Sequence, residues 1–362
     1  MATTELLVGT KKGLFVLQGD PAAGEPFEIA TRAFPGDVVE YAIRDPRTGR
    51  YFASHTSGFY GPRLMYTDDP TGEWTQATGP VFPEGGSDGD ATTLERIWVV
   101  TPGEDDGVLY AGVAPAALFV STDNGESWSL NEPLWKEHQA GDWQPGAGGL
   151  CLHSICPWPG DPQRLAVGVS AAGVWITDDA GQTWRTGYTG LVPEYIPEEA
   201  REGTNTLCVH NMHRAPTRPQ RLFMQFHGNV YRSDDEGSSW QEIRAGLPSG
   251  FGFPLVIDPA DADSAYVIPL VADVDRVTPD AEVRVYETRD AGATWIEHGD
   301  GLPADEAYLT VLRQAFGRSG EGDDMQLYFG ATSGDVFGSP DAGASWFQVH
   351  ERLAPVTSVR VA

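Results

Sequence analysis

Short apolar segments recur in pairs along the whole chain, and a polar turn follows each pair. Residues 109–112 are followed by 118–120, and residues 165–168 by 174–176. Residues 6–9 open the chain with the same pattern. Glycine, proline, aspartate and asparagine separate the segments, and long amphipathic helical stretches are absent from the sequence. Short apolar segments bounded by turn residues are typical of strands, so the pattern predicts an all-β fold.

A motif of the form Ser/Thr-x-Asp-x-Gly-x-x-Trp follows most of these pairs. Five full copies begin at Ser121, Thr177, Ser233, Thr288 and Ser339, and a degenerate copy without the glycine begins at Thr67. Successive copies start 54, 56, 56, 55 and 51 residues apart. This near-constant period indicates one repeated structural unit, so the whole chain, residues 1–362, is predicted to be a single domain.

The spacing within the motif has a mechanical reason. A short hydroxyl side chain and an aspartate can accept hydrogen bonds from the amides of a tight turn. The glycine supplies a backbone conformation that a side chain would obstruct. The tryptophan can then cover the hairpin, with its indole N–H reaching a carbonyl oxygen. The aspartates of the motif are therefore predicted to hold a turn rather than to catalyse a reaction.

The motif resembles the bacterial neuraminidase repeat (BNR), or Asp box. This repeat occurs in sialidases, xyloglucan-active glycosidases, sortilin-type receptors and a photosystem assembly factor of plants and cyanobacteria. The resemblance covers nearly the whole chain and implies a β-propeller, here a stand-alone bacterial or archaeal member. It also implies that each box joins the third and fourth strands of a blade, away from the active face. Because those proteins do unrelated things, the resemblance predicts the fold and not the function.

Six boxed units and one boxless unit at the start of the chain predict a seven-bladed propeller. Residues 356–361 form a lone apolar segment at the end of the chain, and the boxless unit lacks an innermost strand. Pairing of this C-terminal strand with the N-terminal blade would close the ring and leave no open sheet edge.

Charge and cysteine content narrow the partners and the compartment. The net charge is -28 and only three lysines are present, so neither nucleic acid nor an anionic membrane is expected as a partner. The sequence shows no signal peptide and no apolar run long enough to span a membrane. Three cysteines make no disulfide framework, and the repeat-equivalent Cys151 and Cys208 are expected to be buried core thiols. We therefore expect an acidic cytoplasmic protein that is a monomer.

The innermost strand of each unit should line the central channel, where propellers usually carry their sites. Residues 150–153 align with 207–210 because both precede the same Pro-Gln-Arg-Leu sequence. His153 and His210 are therefore predicted to occupy equivalent positions on neighbouring units. The corresponding positions on other units are predicted to be Glu40 or Tyr41, Glu95 or Arg96, and Phe253.

Two further histidines, His55 and His227, fall on equivalent connections between second and third strands, and Asn211 adjoins His210. Four of the eight histidines are thus predicted to converge on one face. Long insertions at residues 80–93, 131–149 and 191–205 are predicted to wall a pocket on that face. The histidines have three open interpretations: a divalent-metal site formed by His153, His210 and Glu95, an acid–base site, or filler of a wet channel.

Three classes of function stay open. A glycoside hydrolase-like enzyme would use paired carboxylates, with Glu40 and Glu95 as candidates. A metal-dependent hydrolase, lyase or oxygenase would work in the channel, and a non-catalytic binding or assembly module would need no catalytic group. The ligand in view is a small molecule or a carbohydrate. Sialidase activity is not expected, because the Arg-Ile-Pro motif of sialidases is missing and residues 61–63 do not match it.

Overall fold

The computed structural model describes residues 3–83, 92–141, 143–146, 148–201 and 206–362. These residues form an all-β protein, which confirms the predicted class. The strands are β1 Thr4–Thr10, β2 Gly13–Gly19, β3 Glu28–Ala33, β4 Val38–Arg44, β5 Tyr51–Ser57, β6 Gly61–Thr67, β7 Thr75–Gln76, β8 Arg96–Pro102, β9 Leu109–Ala114, β10 Ala117–Ser121, β11 Ser129–Leu130, β12 Cys151–Trp158, β13 Asp161–Ser170, β14 Gly173–Thr177, β15 Arg185–Thr186, β16 Val209–Arg214, β17 Leu222–Phe226, β18 Asn229–Ser233, β19 Gln241–Glu242, β20 Gly252–Ile257, β21 Ala265–Pro269, β22 Val285–Thr288, β23 Ile296–His298, β24 Val311–Ser319, β25 Gln326–Ala331, β26 Val336–Ser339, β27 Phe347–His350 and β28 Val356–Val361.

The strands lie in five four-stranded sheets and one eight-stranded sheet among the described residues. Each four-stranded sheet is a meander of consecutive strands, and the sheets start at β4, β8, β12, β16 and β20. The eight-stranded sheet has the order β27-β26-β25-β24-β28-β1-β2-β3. Within it, β28 pairs antiparallel with β1, and a single parallel bridge between Gln314 and Ser358 joins β28 to β24. The C-terminal strand therefore lies between the first and the last units of the chain.

The Asp boxes join the third and fourth strands, as the resemblance implied. In the second boxed unit, β10 ends at Ser121, whose hydroxyl donates to Asp123 Oδ1 over 2.7 Å. The amide of Gly125, at φ +82°, donates to Ser121 Oγ over 2.9 Å. Trp128 Nε1 donates to the Gly125 carbonyl over 3.0 Å. The predicted role of the motif as a turn staple is confirmed by these contacts.

Each full box also contacts the connection between the first and second strands of its unit. Asn124 N donates to the Gly107 carbonyl over 3.0 Å, and Ala180 N donates to the Gln163 carbonyl over 2.8 Å. The boxes therefore lie on the face at which the first strands end, which we call the box face. The opposite face, at which the first strands begin, we call the entry face.

Apolar side chains fill the space between neighbouring sheets. One cluster joins Phe52, Phe119, Val167 and Trp175, which come from three successive sheets. Where a second strand approaches the first strand of the next sheet, a side chain would obstruct the packing. A Cβ at Gly112 would lie 2.4 Å from the Leu152 carbonyl oxygen of the next first strand. Small residues on second strands therefore let neighbouring sheets meet near the centre.

The first strands share a β-bulge near their start. Pairing with the second strand skips one residue in each of four units, namely Glu40, Trp98, His153 and His210. In β20 it skips Phe253 and Pro254. In β24 the excursion is larger, because residues 312–315 fall between the paired residues Val311 and Phe316. Bulges redirect side chains out of the regular pleat, and their recurrence defines one level of the fold.

The insertions differ in how far they can be described. The insertion at residues 131–149 contains the helix α1, Glu132–Ala140, where the sequence predicted a loop. Asn131 caps this helix, because its side chain accepts a hydrogen bond from Leu134 N over 3.0 Å. Residues 84–91 and 202–205 of the other two insertions lie outside the described residues. Short 3-10 turns occur at Pro21–Ala23, Glu198–Ala200, Pro279–Ala281 and Gly322–Asp324.

The part of the chain that the structure describes contains no helix of the length and apolar character needed to cross a membrane.

Candidate functional site

The bulges bring several predicted residues to one level near the entry face, which we call the channel mouth. Glu40, His153, His210 and Phe253 all occupy bulge positions of their first strands. The predicted equivalence of His153 and His210 is therefore confirmed by the strand pairing. The expectation for β8 was wrong, because pairing of Ile97 and Val99 with β9 makes Trp98 the equivalent residue, and not Glu95 or Arg96.

Glu40 is a buried carboxyl group at the channel mouth, with a relative exposure of 8%. Thr56 Oγ1 donates to its Oε1 over 2.8 Å, whereas its Oε2 is buried without a hydrogen-bond partner. Burial raises the pKa of Glu40 to about 7, and the positive charge of Arg96 only partly opposes this. The group can therefore exchange a proton near neutral pH.

Asp37 and His55 form a second ionisable pair in the same unit. His55 Nδ1 lies 2.9 Å from Asp37 Oδ2, and the His55 ring stacks on Phe34 at a centroid distance of 4.5 Å. Burial lowers the pKa of His55, although Asp37 favours its charged form. The charge of Asp37 also contributes to the raised pKa of Glu40. The predicted equivalence of His55 and His227 was wrong by one residue, because the strand pairing makes Phe226 the equivalent of His55, which lies within β5.

Arg313 reaches the channel mouth from the four-residue excursion of β24. Its guanidinium carbon lies 5.8 Å from the Trp98 ring centroid and 5.0 Å from that of Phe253. The Nε atom of Arg313 and the Nε1 atom of Trp98 are both buried without a hydrogen-bond partner. The donors Arg313 Nε and Trp98 Nε1 and the acceptor Glu40 Oε2 therefore lack protein partners at the channel mouth. Each can form a hydrogen bond with a ligand or with ordered water.

His153 is fully engaged by the protein. Its Nε2 donates to the Val209 carbonyl over 2.8 Å, and its Nδ1 lies 3.1 Å from Ser154 Oγ. Burial holds the pKa of His153 well below its usual range, so the ring is neutral. With both ring nitrogens in hydrogen bonds, His153 has no lone pair free for a metal ion. This corrects the predicted ligand set for His153, whereas the side chain of Glu95 is exposed at the residue before β8.

A different trio of ligand atoms is brought together one strand further on. One ligand atom each of Cys208, His210 and His227 lie within 4.8 Å of one another. His210 Nδ1 donates to the Gly252 carbonyl over 2.6 Å, which leaves Nε2 as the free nitrogen. His227 Nε2 lies 3.6 Å from Asp273 Oδ2. Cys208 is a buried thiol, as the sequence predicted, and its Sγ also lies 3.1 Å from Ser170 Oγ.

The remaining predicted residues lie around this level. Phe253 stacks on His210 at a centroid distance of 4.6 Å, and the Arg96 guanidinium lies 5.5 Å from the Trp98 ring centroid. Tyr41 Oη accepts a hydrogen bond from Arg360 Nε over 3.1 Å. Asn211 Nδ2 donates to the Arg313 carbonyl over 2.9 Å. Tyr41 and Asn211 therefore belong to the layer below the channel mouth and support it.

That layer crosses the channel. Gln314 Nε2 donates to the His153 carbonyl over 3.0 Å, and Arg360 Nη1 donates to the Gln314 carbonyl over 2.7 Å. Together with the Asn211 contact, these bonds connect β12, β16, β24 and β28. We call Asn211, Gln314 and Arg360 the crossbar. Below it lies a cavity of about 700 Å³, lined by residues on or next to β4, β8, β12, β16, β20, β24 and β28.

Comparisons with known proteins agree with this architecture. The BNR/Asp-box repeat family model matches residues 119–130. The GH74 xyloglucanase from Xanthomonas campestris is similar in structure, with a TM-score of 0.63 at 15% identity over 96% of this chain and 52% of that chain. The structure of YCF48 bound to D1 peptide has a TM-score of 0.51 at 14% identity, over 85% of this chain and 84% of that chain.

The chain is a β-propeller that carries BNR/Asp-box repeats. An oligoxyloglucan-reducing end-specific xyloglucanase from Emericella nidulans is 24% identical to this Asp-box propeller over 215 residues, which cover 52% of the chain and 25% of that enzyme. The propeller thus spans a quarter of the curated relative and about half of the GH74 structure. At these identities the likeness establishes the fold alone.

Several residues of the mouth of this Asp-box propeller were missed by sequence reasoning, namely Asp37, Trp98, Asp273 and Arg313. For Trp98 a signal exists, because the glycines of the second strands align. Gly112 pairs with Val99, and Gly168 pairs with Ser154, which places Trp98 and His153 in the same position. For Arg313 no comparable signal exists, because the excursion of β24 is longer than the bulges of the other first strands and the repeat therefore offers no aligned position.

Proposed function

We propose that the channel mouth binds a carbohydrate ligand and that Glu40 acts there as the acid–base group of a hydrolytic reaction. One observation carries this proposal: a buried carboxyl group with a pKa of about 7 has one oxygen without a protein partner. Catalytic acids and bases need a pKa near the working pH, and burial is the usual way to raise that of a glutamate. The unpartnered donors of Trp98 and Arg313 supply polar contacts at the same level.

A glycoside hydrolase needs a second carboxylate. Asp37 supports this role because its charge acts on Glu40 and its side chain is only partly exposed. Glu95, the residue directly before β8, is the other candidate for the second carboxylate. In the proposed reaction, protonated Glu40 gives its proton to the leaving oxygen, and the ionised partner activates water or attacks the sugar carbon.

The choice of a carbohydrate rests on the relatives. The curated relative and two of the similar enzyme structures are named as xyloglucanases or as GH74 enzymes. Aromatic rings at the channel mouth, including Trp98 and Phe253, offer flat surfaces on which sugar rings can stack. We therefore propose xyloglucan oligosaccharides as the first class of ligand to test.

The test compares Glu40→Gln with the wild type in binding and hydrolysis of xyloglucan oligosaccharides. Glu40→Gln should lower hydrolysis by roughly 10²–10⁴-fold, as loss of a general acid–base group does, while binding persists. Asp37→Asn and Glu95→Gln distinguish the two candidate partners, because only loss of the second catalytic carboxylate should lower hydrolysis. Equal hydrolysis by wild type and Glu40→Gln would refute the catalytic role. A wild type that neither binds nor hydrolyses these oligosaccharides would refute the carbohydrate proposal.

A metal-assisted site is the second candidate function, supported by the Cys208, His210 and His227 trio. Thiolate and imidazole are the ligands that zinc prefers. The Gly252 carbonyl fixes the His210 tautomer, as outer-shell partners of metal-bound histidines do. Burial raises the pKa of the Cys208 thiol, whereas Arg313 opposes this and favours the thiolate.

Zinc content after purification without added metal or tag tests this second candidate. Wild-type protein should hold stoichiometric zinc, and Cys208→Ser should lose most of it. Cys151→Ser is the matched control, because Cys151 is the repeat-equivalent buried thiol outside the trio. Equal metal content in wild type and Cys208→Ser would refute the site.

We also propose that the propeller has seven blades and is closed by its C-terminal strand. Five four-stranded sheets are separate, and a division of the eight-stranded sheet between β24 and β28 yields two further four-stranded units. The antiparallel pairing of β28 with β1 supports this division, because only one bridge links β28 to β24. The free, buried cysteines support the proposed cytoplasmic location. The monomeric state and the absence of nucleic-acid and membrane partners stay predictions.

A further inference from the structure

The cavity on the box-face side of the crossbar has an unusual charge for this protein. The chain carries 52 acidic residues against 24 arginines and lysines. Nevertheless, no Asp or Glu side chain occurs among the described residues that line the cavity of about 700 Å³. Its ionisable lining side chains are instead Tyr41, Arg44, His153, His213, Arg214, Arg318 and Arg360, and the last residue, Ala362, also lines it. The cavity is therefore a basic enclosure within a strongly acidic surface.

The cavity arginines also lack the ion pairs that neutralise arginines elsewhere. Arg221, for comparison, pairs with Asp234 over 2.7 Å. Within the described part of the chain, no carboxylate lies within 4.0 Å of any of the four cavity arginines. Asp258 and Glu321 act on Arg318 only from a longer distance. The positive charge of the cavity is therefore left uncompensated by direct partners.

The four arginines differ in how many of their N–H groups already bond to the protein. Arg360 is part of the crossbar, and the Arg214 guanidinium lies 4.9 Å from the Trp158 ring centroid and donates to the Pro219 carbonyl. Arg318 has one hydrogen bond, from Nη1 to the Gly320 carbonyl over 3.2 Å. Arg44 likewise has one, from Nε to the Gly49 carbonyl over 3.3 Å, and its guanidinium carbon lies 5.6 Å from the Tyr51 ring centroid. Most N–H groups of Arg44 and Arg318 are therefore left for a ligand or for water.

His213 responds to the same positive charge. Burial and the nearby Arg360 and Arg318 lower the pKa of His213 to about 3, so the ring is neutral at pH 7. A bound anion would oppose the effect of the arginines and favour protonation of this ring. His213 thus offers a probe of the cavity's charge that is independent of the arginines themselves.

The rest of the lining is largely apolar. Val100, Ile155, Met212, Val256 and Phe316 contribute side chains to the cavity. A volume of about 700 Å³ is in the range of small-molecule sites, which combine apolar walls with a few polar groups. The rim is open to solvent, because Arg44, Pro46 and Pro216 are exposed. The lining therefore matches an amphiphilic ligand better than a free inorganic ion.

We propose that this cavity binds a small organic anion, with its carboxylate or phosphate group at Arg44 and Arg318 and its apolar part against the aliphatic wall. Arginine recognises both oxyanions through paired N–H donors, so the two groups share one chemistry. The site is independent of the proposed hydrolytic function, because the crossbar separates it from Glu40 and the channel mouth. The Asp-box propeller would then carry two sites, one on each side of the crossbar.

Titration calorimetry of the full chain at low ionic strength tests the proposal. The probes are phenyl phosphate and phenylacetate, with benzyl alcohol as the uncharged analogue. Both anions should bind the wild type, whereas benzyl alcohol should not. Arg318→Gln and Arg44→Gln should each weaken anion binding at least tenfold. The surface variant Arg352→Gln is the matched control, because Arg352 is exposed and paired with Glu351. In the wild type, the His213 ring resonances should shift on addition of phenyl phosphate.

Three results would overturn the proposal. The first is a wild type that binds neither anion. The second is unchanged affinity in both Arg318→Gln and Arg44→Gln. The third is an equal loss of affinity in Arg313→Gln, which would place the anion at the channel mouth instead. Hydrolysis of oligosaccharides enters none of these readouts, so failure of the anion site and failure of the hydrolytic proposal are distinguishable.

Discussion

The side-chain amide of Gln314 donates a hydrogen bond to the backbone carbonyl of His153 over 3.0 Å, although 161 residues separate them. The same amide side chain accepts a hydrogen bond from Arg360 Nη2. Because Gln314 stands on β24 and His153 on β12, this contact spans the channel rather than joining neighbouring strands. Polar side chains therefore bridge the centre of the propeller at the level of the crossbar.

Disruption of the crossbar should destabilise the protein. Gln314→Ala leaves the His153 carbonyl without its side-chain donor and removes the side-chain acceptor of Arg360 Nη2. We expect a fall of roughly 1–3 kcal/mol in the free energy of unfolding, the usual cost of unpaired buried polar groups. Urea denaturation measures the change, with Gln348→Ala, at an exposed position, as the control. Identical midpoints for wild type and Gln314→Ala would show that water replaces the contact without cost.

Removal of the C-terminal strand should open the ring. A chain that ends at residue 354 lacks β28, so β1 would expose an unpaired edge. We expect self-association in light scattering and a large fall in melting temperature. A truncated chain that stays monomeric with an unchanged melting temperature would contradict closure by this strand.

The box tryptophans should differ in their contribution to stability according to burial. Trp240 is buried, and its Nε1 donates to the Gly187 carbonyl over 3.1 Å. Trp184 is only partly buried, so its removal exposes less apolar surface. Trp240→Ala should cost roughly 3–5 kcal/mol and Trp184→Ala less. Chemical denaturation of both variants provides the comparison, and a larger loss in Trp184→Ala would contradict the ranking. Ligand affinity at the channel mouth should persist in both, because the boxes lie on the opposite face.

Glu40 should make stability depend on pH. Its folded pKa of about 7 lies above the ordinary value of 4.5, so the folded state favours the protonated carboxyl. This contribution is fully present below pH 4.5 and is lost as the pH rises through about 7. Glutamine does not ionise, so Glu40→Gln does not lose this stability as the pH rises. The free energy of unfolding of the variant should therefore rise relative to that of wild type by roughly 2–4 kcal/mol across that range.

Urea denaturation of wild type and Glu40→Gln at a series of pH values from acidic to mildly alkaline measures this gain. Glu95→Gln is the control, because its exposed side chain should leave the profile unchanged. A constant difference between Glu40→Gln and wild type at every pH would show that Glu40 ionises at its ordinary pKa.

The repeated local signals in the sequence determined the all-β class, the Asp-box turns and the equivalence of His153 and His210. The box is self-contained: in Ser233–Trp240 the hydroxyl, carboxylate, glycine and indole contact one another within eight residues. Such short-range hydrogen bonding leaves a pattern that one sequence displays, and repetition at a constant period makes it unmistakable.

The tertiary structure alone decided which side chains share the channel. Trp98, and not Glu95 or Arg96, takes the bulge position because the pairing of β8 with β9 sets the register of the strand. His153 leaves the ligand set because its nitrogens find partners on its own and the neighbouring strand, while Cys208 joins His210 and His227. Arg313 and Gln314 meet residues more than 100 positions away. Contacts of that range depend on how strands are arranged around a centre, and no periodicity along the chain encodes them.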